Sequence, residues 1–189
     1  MTHGSSGTFD LNLPLTGAPG IECRRGGASG DYSVVFSFTT DVMSCGTTPT
    51  AGGSVVAGPN ANQCTVNLTG VPNGQTINIE LDNVTDSFNN TGNVSVPVGF
   101  LIGDTTANGA VNSSDVAQTQ SQSGEAVTGS NFREDVTANG TINSSDVALV
   151  QSKSGTGLSA ALASSPTATP VSTSSPVSKS KSRRPARNQ

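Results

Sequence analysis

The sequence has no tryptophan, one tyrosine and one histidine, and aromatic residues make up only 4% of it. It therefore has no aromatic platform for stacking nucleobases. Lys and Arg are scarce outside the last residues, so no basic stripe meets phosphates and nucleic acid is not an expected partner. Hydrophobic residues reach only 32% of 189 residues, too little for the large single core of a typical enzyme. No apolar run approaches the roughly 18 to 20 residues that cross a bilayer, so no membrane span is expected. The opening MTHGSSGTFD lacks the basic-then-apolar order of a signal peptide. The three cysteines show no CxxC spacing, which argues against structural zinc.

Catalytic constellations are missing too. His3 has no second histidine to share a metal with and reads as a solvated terminal residue. The GSSG near the start is not a G-x-S-x-G elbow. Asp82 and Asp86 fall near strand ends and read as solvated, not as a hydrolytic pair. The chain is not expected to be an enzyme; any catalytic domain would lie outside it.

What is abundant is Gly (22), Pro (10) and many Ser, Thr and Asn, the composition of short strands, turns and extracellular stalks. The net charge of −4 hides an asymmetry: residues 158–189 carry five bases and no acid, while residues 1–157 carry four bases against 13 acids, a net of −9. An acidic body attracts cations. Cys45 and Cys64 flank a Gly/Pro-rich excursion and would pair across neighbouring strands, leaving Cys23 as the odd thiol. The alternative is three small buried hydrophobes.

Residues 7–102, in a first domain at 1–102, read as strands separated by turn chemistry. GTFDLNLPL alternates Phe9, Leu11 and Leu13, and YSVVFSF, QCTVNLTGV, TINIELDNV and NVSVPVGFLIG follow, parted by GGASGD, PNGQ and FNNTGN. The expected fold is mainly β: an antiparallel, immunoglobulin-like β-sandwich, followed by a small α-helical domain at 103–157 and a disordered Ser/Thr/Pro-rich basic tail at 158–189.

The second segment is built on a repeat. Residues 104–124 realign with 135–155 at an offset of 31, and 15 of the 21 aligned residues match. Each copy opens with twelve residues bearing oxygen side chains at positions 1, 3, 5, 9 and 12 and Gly at 6. These are Asp104, Thr106, Asn108, Asn112 and Asp115 with Gly109, then Asp135, Thr137, Asn139, Asn143 and Asp146 with Gly140. This is the spacing of an EF-hand-type calcium loop, in which alternate residues point inward to supply the six to eight oxygens a hard cation takes. Ala110 and Thr141, at position 7, would contribute backbone carbonyls. Position 12 opens an apolar-periodic stretch, so a helix is expected to leave each loop.

The duplicated loop-then-helix unit resembles the type I dockerin domain. That resemblance implies up to two weakly bound Ca2+ ions and docking onto a cohesin-like protein partner in extracellular polysaccharide-degrading assemblies. The hydroxyl pairs Ser113 with Ser114, and Ser144 with Ser145, would touch the partner. The chain departs from the family in having Thr and Asn at positions 3 and 5, and Gln120, Ser121, Gln151 and Ser152 where a basic pair is usual. The expected function is a non-catalytic, extracellular or cell-surface calcium-binding docking module. The alternatives are appended C-terminal modules of a secreted glycoside hydrolase, with other domains of a larger parent protein, and a calcium-stiffened adhesin or stalk.

Overall fold

The computed structural model describes residues 1–159. Its strands are β1 (Gly20–Glu22), β2 (Tyr32–Ser37), β3 (Val42–Ser44), β4 (Gly53–Ala57), β5 (Gln63–Leu68), β6 (Gln75–Asp86) and β7 (Thr91–Phe100). Two helices follow, α1 (Ser113–Ser121) and α2 (Ser144–Lys153).

Strict alternation makes the three-stranded sheet β2-β5-β4. Tyr32, Val34 and Phe36 of β2 and Cys64, Val66 and Leu68 of β5 point inward, with Val34 opposite Val66 and Phe36 opposite Cys64. The facing four-stranded sheet, β1-β7-β6-β3, supplies Ile79, Leu81, Val84, Val96, Val98 and Phe100 to the same core. The Tyr32 ring lies 4.7 Å from that of Phe100, and its hydroxyl donates to Arg24 O and accepts from Gly26 N. Each of these large apolar side chains contributes about 1.5–3 kcal/mol by leaving water.

A disulfide joins Cys45, just past β3, to Cys64 in β5, so it ties the edge of one sheet to the middle of the other. Between them runs β4, an outer strand paired only with β5. No charged residue occurs from position 42 to position 79.

Three expectations are overturned. The sheets are not wholly antiparallel: β1 runs parallel to β7, Gly20 opposite Val98 and Glu22 opposite Phe100. The stretch around Phe9, Leu11 and Leu13 forms no named strand; Phe9 stacks on Phe132 and Leu13 packs on the core between the sheets. Nor does the structure show a dockerin-like helical domain with calcium loops behind the sandwich. The chain is mainly β, and its two helices have only nine and ten residues. Helices this short, with narrow apolar faces, cannot enclose a core alone. Their apolar cluster of Val111, Val136 and Val150 is completed by Leu101 after β7 and Ile21 of β1. As for the expected tail, residues 160–189 lie outside the described residues, whereas Leu158 packs on this second cluster and Ser159 N donates to Gly74 O.

Candidate functional site

The first loop is wired by its own polar groups. Asp104 accepts from Asn108 N through Oδ1 at 3.0 Å and from Gly109 N through Oδ2 at 2.8 Å. Asp115 accepts from Thr106 N at 3.0 Å through Oδ1 and from Asn112 N at 2.8 Å through Oδ2. The Thr106 hydroxyl stands between the two carboxylates, 3.4 Å from Asp104 Oδ1 and 2.8 Å from Asp115 Oδ1. Asn108 Oδ1 folds back on Ala110 N at 2.9 Å, and Asn112 caps α1 through Ser114 N. Asp115 closes the capping box of that helix, where a carboxylate also complements the helix dipole.

The turn requires left-handed backbone at two positions. Gly109 has φ +85° and meets this freely; Ala107 has φ +59° and does so at a steric cost of roughly 1–2 kcal/mol. Ala138 repeats the feature at φ +55°.

The second loop copies this wiring. Asp135 accepts from Asn139 N and Gly140 N, Asp146 accepts from Thr137 N and Asn143 N, and the Thr137 hydroxyl lies 3.3 Å from Asp135 Oδ1 and 2.9 Å from Asp146 Oδ1. Thr141 adds a second donor, its hydroxyl, to Asn139 Oδ1.

What surrounds the loops is not a copy. Residues 1–9 form a tight hairpin, with His3 N bonded to Gly7 O and Phe9 N to Met1 O, and this arm lies on the second loop. Ser6 Oγ donates to Gly140 O, and Gly4 comes so close that a Cβ there would sit 2.3 Å from Asn139 O. His3, expected to be solvated, is fully buried: Nδ1 is 2.8 Å from Asp135 Oδ2 and Nε2 is 3.0 Å from Arg24 Nη1. An arginine only donates, so Nε2 accepts and Nδ1 carries the proton that goes to Asp135. Burial pushes the imidazole below its usual 6.5, opposed by the bond to Asp135. Arg24 grips Glu22 through Nε and Nη2 at 2.8 and 2.6 Å and lies over the Phe132 ring. The first loop is instead flanked by the segment after α2, where Leu158 N donates to Gly109 O and Val111 exchanges hydrogen bonds with Gly155 and Thr156.

His3, Arg24 and Glu22 are residues that sequence reasoning missed, and Arg133 is another. Its guanidinium donates to three backbone carbonyls, of Ile21, Asp104 and Thr105, tying the first loop to β1. Glu134 is buried with Oε1 on the Gln118 amide and Oε2 without a partner among the described residues, and burial raises its carboxyl above the usual value. A charged residue just before a loop was the one available signal for Arg133 and Glu134. The pairs Ser113 with Ser114 and Ser144 with Ser145 are all exposed at the starts of their helices, and Gln120, Ser121, Gln151 and Ser152 are exposed further along.

Among the described residues no three His, Cys, Asp or Glu side chains converge on a metal-sized site. Each loop brings two carboxylates together, with Thr, Asn and carbonyl oxygens around them. Asp104 and Asp115 are fully buried, yet no salt bridge reaches either one among the described residues. Buried carboxylates normally have a cationic partner or a metal, and an all-oxygen set suits a hard cation. The oxygens of the first loop are ones that could hold a hard cation such as Ca2+. In the second, the His3 N–H already occupies one oxygen of Asp135.

Comparison of the chain with protein-family models, with curated proteins and with solved structures found no match to any of them.

Proposed function

We propose that the chain is a non-catalytic extracellular module that binds calcium through its repeated loops and docks onto a cohesin-like protein partner. The observation that carries this reading is the buried pair Asp104 and Asp115, held together across the Thr106 hydroxyl with no salt bridge to either among the described residues. Asp104, Thr106, Asn108, Asn112 and Asp115, with the Ala110 carbonyl, would hold the ion. A bound hard cation neutralises the two carboxylates and cross-links the turn to the helix start. The chain's own groups do the rest. Loop N–H groups orient both carboxylates before any ion arrives, and the Asn112 cap fixes the first turn of α1, where Ser113 and Ser114 are presented to a partner. The Cys45–Cys64 bridge supports an oxidising, extracellular setting.

Calcium titration calorimetry on the full chain tests the first half: saturable heat that is reduced in Asp115→Ala supports it, and no heat in the unaltered chain overturns it. Capture by cohesin domains with and without chelator tests the second half. A second reading, a stalk whose domain junction calcium stiffens, is favoured by Arg133, which links the first loop to Ile21 of β1. It is chosen over docking if calcium binds and no cohesin is captured.

A further inference from the structure

We propose that Asn108 is a self-modification site, at which the first loop converts its own asparagine to an aspartyl residue through a cyclic imide with Gly109. Three groups of that reaction are already in place. The attacking atom, Gly109 N, has its hydrogen directed at Asp104 Oδ2 at 2.8 Å, so a carboxylate stands where a general base must be. The carbonyl to be attacked has its oxygen, Asn108 Oδ1, on Ala110 N at 2.9 Å, a donor that stabilises negative charge developing there. The bond from Ala110 N spans Gly109, so the Asn108 side-chain amide is held along the segment that carries the attacking nitrogen. Asn108 is exposed, so the water that opens the imide has access to it.

The step balances without any oxidant. Gly109 N bonds to Asn108 Cγ and gives up its proton to Asp104. The bond from Cγ to the side-chain nitrogen breaks, and that nitrogen takes the proton back and leaves as ammonia. Water then opens the imide at either carbonyl, its hydroxyl going to carbon and its hydrogen to nitrogen, which yields an aspartate or isoaspartate at position 108.

The same chain holds two controls. At Asn139–Gly140 the glycine N–H also faces a carboxylate oxygen, Asp135 Oδ2, but His3 donates to that oxygen too and the arm crowds Gly140. At Asn73–Gly74 the glycine N–H is bound to a neutral carbonyl, Phe100 O, and Asn73 Oδ1 accepts from Ile102 N. The consequence rests on the calcium reading: an aspartate at loop position 5 adds a third carboxylate to a loop that has two.

The test is to age the folded full chain in chelator at neutral pH and follow each site by peptide mapping, reading the gain of one mass unit and isoaspartate. Asn108 should convert on the order of 10²-fold faster than Asn73, the lower end of what a positioned base contributes. His3→Ala should accelerate Asn139, and Asp104→Asn should bring Asn108 down to the Asn73 rate. Conversion at Asn108 no faster than at Asn73, or seen only in denaturant, overturns the proposal; this comparison stands even if Asp104→Asn fails to fold. Calcium titration of Asn108→Asp separates the two readings. Tighter binding supports the consequence, and unchanged absence of heat overturns the calcium reading while the mass data still decide the modification.

Discussion

His3 Nδ1 lies 2.8 Å from Asp135 Oδ2 across 132 residues of sequence, with both side chains fully buried. The contact makes two nearly identical loops unequal. It also turns the first nine residues from a loose end into part of the repeat.

Replacing this histidine tests that role. In His3→Ala, Asp135 keeps its bonds from Asn139, Gly140 and Thr137, while Arg24 Nη1 loses one acceptor. The expected loss is about 1–3 kcal/mol, with fast amide exchange appearing at position 3 and at Phe9. Unchanged exchange in the arm would show that its packing does not depend on the imidazole.

Tyr32 is the only tyrosine and the chain has no tryptophan, so its ultraviolet ionisation is a clean probe. Burial raises its pKa from 10.0 to about 12. Between those values the unfolded chain has lost the proton and the folded one keeps it, so stability falls as pH rises from 10 towards 12. The phenolate band should appear near pH 12 in native protein and near 10 in denaturant. One midpoint in both conditions would mean that the hydroxyl is not buried in the folded chain.

The disulfide closes a loop with a sequence separation of 19. Chain entropy then assigns it about 3 kcal/mol. Reduction, or the double change Cys45→Ala with Cys64→Ala, should lower the melting temperature accordingly. Cys23, buried and with its thiol pushed up to about 12, should resist alkylation until the chain unfolds. Rapid labelling of Cys23 in native protein would contradict its burial.

With two carboxylates per loop, calcium is expected to bind weakly, with Kd on the order of 10⁻⁴ M. At a hundredfold excess over Kd, one such site adds about 2.7 kcal/mol of stability. Asp115→Ala should remove more of that gain than Asp146→Ala, because His3 already satisfies part of the second loop. Equal losses in melting scans with and without chelator would show that the arm is irrelevant to binding.

The mainly β character was legible because alternation is a local signal: Tyr32, Val34 and Phe36 announce a strand without reference to a partner. The loops were legible for a similar reason, since the acceptors on Asp104 and Asp115 are filled from within nine residues. The apolar alternation of Phe9, Leu11 and Leu13 misled because an unpaired segment can bury the same side chains without a ladder. Long-range relationships left no trace in composition. Nothing in GIECRR states that β1 will lie parallel to β7, that Arg24 will reach His3, or that Ile21 will complete a cluster with Val136 and Val150.

The parallel pairing of β1 with β7 determines how the chain bears tension. The arm precedes β1 and the repeats follow β7, so a pull on the two ends drags these strands past each other lengthwise. Their hydrogen bonds are then loaded in shear and resist together, whereas in a hairpin opened from one end they would unzip one by one. The contact of His3 with Asp135 lies outside this junction and would be strained first, whereas Arg133 also holds Ile21 within β1. A single-molecule pulling trace should show a small early event from the arm and a larger one from the β1–β7 pair, and Leu101→Pro, which removes the N–H that Leu101 donates to Glu22 O just past β7, should weaken the second.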